Sequence, residues 1–309
     1  MRKAGILYSE LGFYKLPDIS VIIPTSRWGG IDIIKSSLQR QTFTNFEALL
    51  IDEKCIFRSA DLRLFLADDH RIRHICAPPM DKDDFWNLNK SINYGLSIAQ
   101  GKLIVLLQDY IWLPDDGLAK FWRAYAELGD VLISGVGHKA QWPDWAINLF
   151  GKVTIFTQSG FQNVQWPQDK PEDGFRKPEG VFSRDPRIQG RGLHLCNPIE
   201  WEANWACFPL VVAEKIGGFD EDFDKGRGFD NTNFAERAQL AGYQVWLDET
   251  NECVGYSHEL LFKSNEDDCA HRHHPNNMEL WRRKCEKLQN KEIDYKVPFL
   301  DNMKQGIFS

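Results

Sequence analysis

ISVIIPT (Ile19–Thr25), then a Gly-Gly break, the segment IDIIKSSLQRQ, and FEALLID (Phe46–Asp52) together set the architecture of this chain. The first and last pieces are β-branched or apolar on both faces, as in strands buried within a parallel sheet. The segment between them is apolar at helical spacing. A strand, a helix and a second strand in that order form a crossover unit, and its connection should be right-handed.

The pattern continues outward. RHICAP (Arg73–Pro78) reads as a short strand, NLNKSINYGLSIAQG (Asn87–Gly101) as a helix stopped by glycine, and KLIVLLQD (Lys102–Asp109) as a fourth strand. Strands alternating with helices predict an α/β fold, a mostly parallel doubly wound sheet that gathers ligands at the carboxyl ends of its strands. Asp52 and Asp109 both lie at such ends. In LLQDYIWLPDD (Leu106–Asp116) the acid at 109 interrupts an apolar run, and a buried carboxylate is costly unless paired, hydrogen-bonded or metal-bound. Asp109 therefore needs a partner.

Further along, roughly from Val136 to Trp201, the chain is rich in Trp, Pro, Gly and charge, which predicts ordered loop and short strands laid over the sheet. WACFPLVVAEKIGGFDE restores regular structure, followed by a helix from about Asn231 to Ala241, a strand YQVWLD, and an amphipathic helix in NNMELWRRKCEKLQNKE. No internal repeat is visible.

Composition narrows the function. The chain has 309 residues, 43% hydrophobic and 26% charged, with a formal net charge of −7. That acidic balance argues against a general nucleic-acid binder, whose affinity comes from clustered Lys and Arg. The 7 Cys are scattered with no CxxC pair, which speaks against a disulfide framework or a zinc ribbon and for small buried thiols. No run is long enough to span a bilayer, and the first residues carry acidic and polar breaks where a signal peptide needs an apolar core. The expectation is a cytoplasmic protein, with room left for peripheral membrane contact.

The order of four motifs resembles glycosyltransferase family 2, the nucleotide-sugar-dependent enzymes of the GT-A (Rossmann-like) fold. They are SVIIPT, LQRQTFTNFEALLIDE, KSINYGLSIAQGKLIVLLQDYIWLPDDGL and IGGFDEDFDKGRGFDNTNFAERAQLAGY, and the similarity runs from about Ile19 to His258. The resemblance implies a GT-A domain over 1–262, with a nucleotide-binding half at about 17–116 and an acceptor-side half at about 117–262. A helical extension at 263–309 follows. It implies transfer of a sugar from a nucleotide donor, UDP-linked by expectation, to a saccharide or glycoconjugate, in the manner of polysaccharide biosynthesis.

It also implies roles for particular residues. Asp52 would accept from the imide nitrogen of uracil, with Pro24 and Thr25 lining the same pocket. Asn93 and Gly95 match the family's Asn-x-Gly on the nucleotide side, and Gly218 of GGFDE (Gly217–Glu221) would let backbone approach the pyrophosphate. Leu107-Gln108-Asp109 stands where the family carries Asp-x-Asp, so the first acid is replaced by leucine. Asp109 and His258 become the expected ligands of Mn²⁺ or Mg²⁺.

The base of inverting members comes from a Glu-Asp pair ahead of a helix arginine. Here Phe229-Asp230-Asn231 and Arg237 occupy that place, so Asp230 is the candidate, with helix capping as its alternative. The aromatic rings of Trp142, Trp145, Trp166, Trp201 and Trp205 are candidate platforms for the acceptor sugar. Two rivals stay open. A nucleotidyltransferase would use Arg27 and the glycines of TSRWGGID, and a decayed GT-A protein would keep sugar binding or scaffolding without turnover.

Overall fold

β1 (Ile19–Thr25) and β2 (Phe46–Asp52) form at the bounds expected of them, with every residue buried. They pair in parallel, from Ile19 opposite Phe46 to Thr25 opposite Asp52. The computed structural model describes residues 16–26, 31–82, 84, 86–140, 152–157, 160–165, 182–255 and 276–306.

α1 (Ile31–Gln39) joins these strands, and α2 (Cys55–Phe65) leads to β3 (Ile72–Cys76). α3 (Leu88–Ile98), β4 (Leu103–Leu107), the two-residue β5 (Ile111–Trp112), α4 (Gly117–Leu128) and β6 (Leu132–Ala140) follow. β7 (Lys152–Thr157) and β8 (Gly160–Gln165) make a separate antiparallel hairpin. Next come β9 (Phe182–Ser183), β10 (Leu193–Leu195), β11 (Trp205–Pro209), α5 (Leu210–Ile216), α6 (Asp230–Leu240), β12 (Val245–Gly255), α7 (Met278–Gln289) and α8 (Phe299–Lys304).

The main sheet runs β10-β12-β6-β11-β4-β1-β2-β3, with β5 on β12 and β9 on β6. Pairs β1–β2, β1–β4, β2–β3 and β6–β12 are parallel. β11 enters antiparallel between β4 and β6, so the half beyond β4 is mixed. Pro24, which has no N–H, lies beyond the last β1–β4 pair, Ile22 opposite Leu106, where that ladder has ended.

Side-chain alternation along β1 feeds two cores. Val21 and Ile23 pack with Ile34, Leu62 and Phe121 of α1, α2 and α4 on one face. Ile22 packs with Ile92, Ile216, Phe234 and Leu300 of α3, α5, α6 and α8 on the other. With both faces covered, polar chemistry can leave the sheet only at strand ends. Trp201 and Trp205 belong to these cores: Trp201 stacks on Phe234 with centroids 5.5 Å apart, and Trp205 packs on Phe121 at 4.5 Å. They are therefore not sugar platforms, because β11 and its approach lie inside the sheet. Trp142, Trp145 and Trp166 lie outside the described residues.

One cysteine expectation is corrected. Cys55 and Cys76 form a disulfide, with Cα atoms 5.1 Å apart across a separation of 21 residues. Cys55 opens α2 and Cys76 closes β3, so topology makes neighbours of residues whose spacing matches no motif. Cys207 and Cys253 are buried thiols as expected, while Cys196 and Cys285 are half-buried. Among the described residues no helix is long and apolar enough to cross a membrane.

The carboxyl-terminal helices are built into the body. The Val297 amide donates to the Ile216 carbonyl at 3.0 Å and the Leu300 amide to Gly217 at 2.9 Å, while Leu300 is wholly buried. Gly217 ends α5 in the left-handed region at φ 80°, and a Cβ there would lie 1.6 Å from the Val297 carbonyl oxygen. Gly217→Ala should lower the urea midpoint by an amount equivalent to about 1–3 kcal/mol. An unchanged midpoint would show that the 297–300 segment is not held against α5.

Candidate active site

The register of the parallel strands brings Thr25 beside Asp52 at their carboxyl ends. Asp52 is buried and saturated. Arg58 donates to it through Nε at 2.9 Å and Nη2 at 2.6 Å, the Lys54 amide donates at 2.8 Å, and His74 Nε2 lies 2.8 Å from Oδ2. Arg58 Nη2 also reaches Thr25 Oγ1 at 3.3 Å, and that hydroxyl donates to Asp109 Oδ2 at 2.7 Å. A continuous polar chain thus runs from His74 through Asp52, Arg58 and Thr25 to Asp109. Thr25 is a partner of the kind that the buried acid required.

Electrostatics follow from these contacts. Burial acts to raise the Asp52 carboxyl, but hydrogen bonds from His74 and Arg58, the Arg58 charge and the Lys54 amide together hold it below its ordinary value of 3.8. Asp52 is thereby kept ionised.

A second group of acids lies on the loop between α5 and α6. Asn93 of α3 pins that loop: its Nδ2 donates to the Phe219 carbonyl and to Glu221 Oε1, and its Oδ1 accepts from the Phe219 amide at 2.8 Å. Asp224 closes the start of α3, accepting from the amides of Asn89 and Lys90 at 2.9 and 3.0 Å. Burial pushes the Asp224 and Glu221 carboxyls upward. For Asp224 the charges of Asp230 and Asp84 add to that shift.

Asp230 opens α6, and burial raises its carboxyl too, against hydrogen bonds from its own amide and that of Asn231. The residue before it, Phe229, caps the helix at φ 67°, a left-handed conformation. That conformation costs about 1–2 kcal/mol for a residue with a Cβ. The Phe229 ring stacks on Trp281 at 5.0 Å with 22° between planes, and such a pair returns about 0.5–1.5 kcal/mol. The two terms are of the same size, so the stack can offset the strained cap.

The expected site residues divide accordingly. Thr25, Asp52 and Asp109 meet at the carboxyl ends of β1, β2 and β4, with Pro24 next to Thr25. Asn93, Gly95 and Gly218 have packing roles in the framework. Asn93 is engaged by the loop, a Cβ on Gly95 would meet Ile22 at 2.6 Å, and one on Gly218, at φ 84°, would meet Asn93 Oδ1 at 2.4 Å. Close packing by itself accounts for those residues. Arg237 is buried in the same framework, donating to the carbonyls of Ile216 at 2.9 Å and Gly218 at 2.8 Å and to Asn233 Oδ1 at 2.8 Å. Arg27, His258 and the histidines at 271, 273 and 274 lie outside the described residues.

Sequence reasoning missed Arg58 and His74. His74 pairs with Leu50, two residues before Asp52, and so lies on the face of Asp52, a placement set by the register of β2 and β3. Arg58 sits on α2, a helix whose weak pattern gave no signal.

The described residues do not by themselves make a site for the implied cation: none of them form a group of three or more His, Cys, Asp or Glu able to hold one. Asp109 is wholly buried and already accepts from Thr25. Leu107, in place of the family's first acid, is paired with Trp205 inside the sheet.

No protein-family model and no curated protein matches this chain. Among solved structures, S. aureus TarS 1-349 in complex with UDP-GlcNAc superposes with a TM-score of 0.57 at 10% identity, over 94% of this chain and 71% of that one. The same fragment in complex with UDP gives 0.52 at 10% identity, over 78% and 60%. A longer TarS structure gives 0.50 at 10% identity, over 78% of this chain and 37% of that one. The chain thus spans about 60% of the first of the TarS chains it matches. The likeness establishes the fold, which is the GT-A fold that the order of motifs implied.

Removing the Asp52 charge would break a buried bidentate pair with the Arg58 guanidinium. Asp52→Asn should therefore cost about 3–5 kcal/mol at neutral pH. A depressed folded pKa gives stability that is present above the unfolded value of 3.8 and is lost as pH falls through the folded value. The gap between wild type and variant should accordingly narrow in urea titrations below about pH 4. A gap independent of pH would show that the ion pair is not its source.

Proposed function

We propose that the chain is a glycosyltransferase that moves a sugar from a UDP-linked donor to the hydroxyl of a saccharide or glycoconjugate, with Asp230 as general base. The observation that carries the reading is the Asp52–Arg58–Thr25–Asp109 chain at the carboxyl ends of β1, β2 and β4. In an open α/β sheet that edge is where nucleotides seat. The same fold holds UDP-GlcNAc in a TarS complex, which supports a nucleotide sugar as the donor here.

In the proposed step the acceptor oxygen attacks the anomeric carbon as its proton passes to the Asp230 carboxylate. The bond from that carbon to the diphosphate oxygen breaks, and UDP leaves with the electron pair. One displacement inverts the anomeric centre. A carboxyl raised by burial is a stronger base than one in water, which suits proton abstraction. The positive end of the α6 dipole favours its ionised form before the proton arrives.

A second reading, a sugar-binding module without turnover, is favoured by the saturation of Asp52 and by Leu107 in place of an acid. One set of measurements separates the two. UDP, GDP, CMP and UTP are titrated with and without Mn²⁺ or Mg²⁺ while the melting temperature is followed, and UDP release is measured with UDP-sugars. A specific UDP shift together with turnover is the expected result, and the metal arms report the cation requirement directly. Asp230→Asn should lower kcat by about 10²–10⁴-fold while leaving UDP affinity within about threefold. UDP binding without release by the wild type would establish the second reading instead.

A further inference from the structure

The geometry points to Trp281 as the positioning residue for Asp230, acting from α7 through Phe229. This rests on the proposed role of Asp230 as base. Trp281 holds α6 at two points, the residue before its first turn and a carboxylate on the helix itself. Its ring lies on Phe229, the left-handed residue immediately before Asp230, with centroids 5.0 Å apart and planes 22° from parallel. Its indole N–H donates to Glu236 Oε2, on α6 itself, at 2.8 Å. One turn further along α7, Cys285 Sγ lies 3.1 Å from the same carboxylate oxygen.

The rest of α7 grips the loop that delivers Phe229. Lys284 Nζ donates to Asp220 Oδ2 at 2.5 Å and to Asp222 Oδ2 at 2.7 Å. Asn277, just ahead of α7, donates through Nδ2 to the Phe223 carbonyl at 2.8 Å and through its amide to Arg227 at 3.1 Å. The loop is thus fixed along its length from one helix, and Trp281 holds its last residue. A strained backbone persists where its surroundings over-determine it, and here the indole is part of those surroundings. Without it Phe229 is free to leave φ 67°. The Asp230 carboxylate, one residue on, then loses its fixed direction toward the acceptor hydroxyl.

The test compares Trp281→Ala, Trp281→Phe and Asp230→Asn in the full chain. Trp281→Ala should lower kcat by about 10–100-fold, with donor KM and UDP affinity within about twofold, because only the base is displaced. Trp281→Phe keeps a ring over Phe229 and should recover kcat to within about threefold of wild type. Amide exchange over the first turn of α6 reads the same contact without turnover and should speed up in Trp281→Ala alone. Unchanged exchange there, or unchanged kcat in Trp281→Ala beside an inactive Asp230→Asn, would overturn the positioning role. Full turnover in Asp230→Asn would instead overturn the base assignment, a distinct result.

Discussion

A charge withdrawn from water has to be met by donors, and this molecule is organised around that requirement. Its sheet is covered on both faces by helices, so the carboxyl ends of the strands are where polar groups gather. Asp52 and Asp109 are buried there and are held through Arg58, His74 and Thr25. Those donors come from α2, β3 and β1, so the site forms only when three crossover units have docked. The cost of breaking the buried Arg58–Asp52 pair ties the local structure of the site to the stability of the sheet.

The same constraint operates on the other side of α3. Asp224 satisfies amides at the start of that helix and Asn93 satisfies the loop after α5, so α3 and the α5–α6 loop define each other. Arg237 extends the framework to the carbonyls of Ile216 and Gly218 at the end of α5, and burial brings its pKa down to about 10. α8 inserts Leu300 into the core beneath this junction. The carboxyl-terminal helices are thus structural supports of the loop that carries Asp230.

Much of this was legible. The continuous apolar runs at Ile19–Thr25 and Phe46–Asp52 announce buried parallel strands because neither face meets water. Asp109 stands out because an acid cannot remain alone at the end of such a run. Glycines were ambiguous. Gly95 and Gly218 suit close approach of a ligand or of the protein, and only their neighbours, Ile22 and Asn93, show that protein fills the space. Arg58 and the Cys55–Cys76 bond were not legible, since one lies on a weakly patterned helix and the other joins residues matched by no motif. Regular structure was expected from Trp205 onward, but the antiparallel entry of β11 depends on pairing partners that its own residues do not specify.

By itself the sequence determined what is local. Periodicity and punctuation placed the strands of the first half, the helices at α3, α6 and α7, and the acids at strand ends, because burial and turn formation act on consecutive residues. Tertiary structure decided which of those acids are committed to partners. Whether Asp52 faces Arg58 and His74, whether Asn93 meets a loop, and whether Phe229 is held left-handed by Trp281 depend on residues up to 128 positions apart. Such contacts are chosen by the packing of whole elements, and no window of sequence contains them.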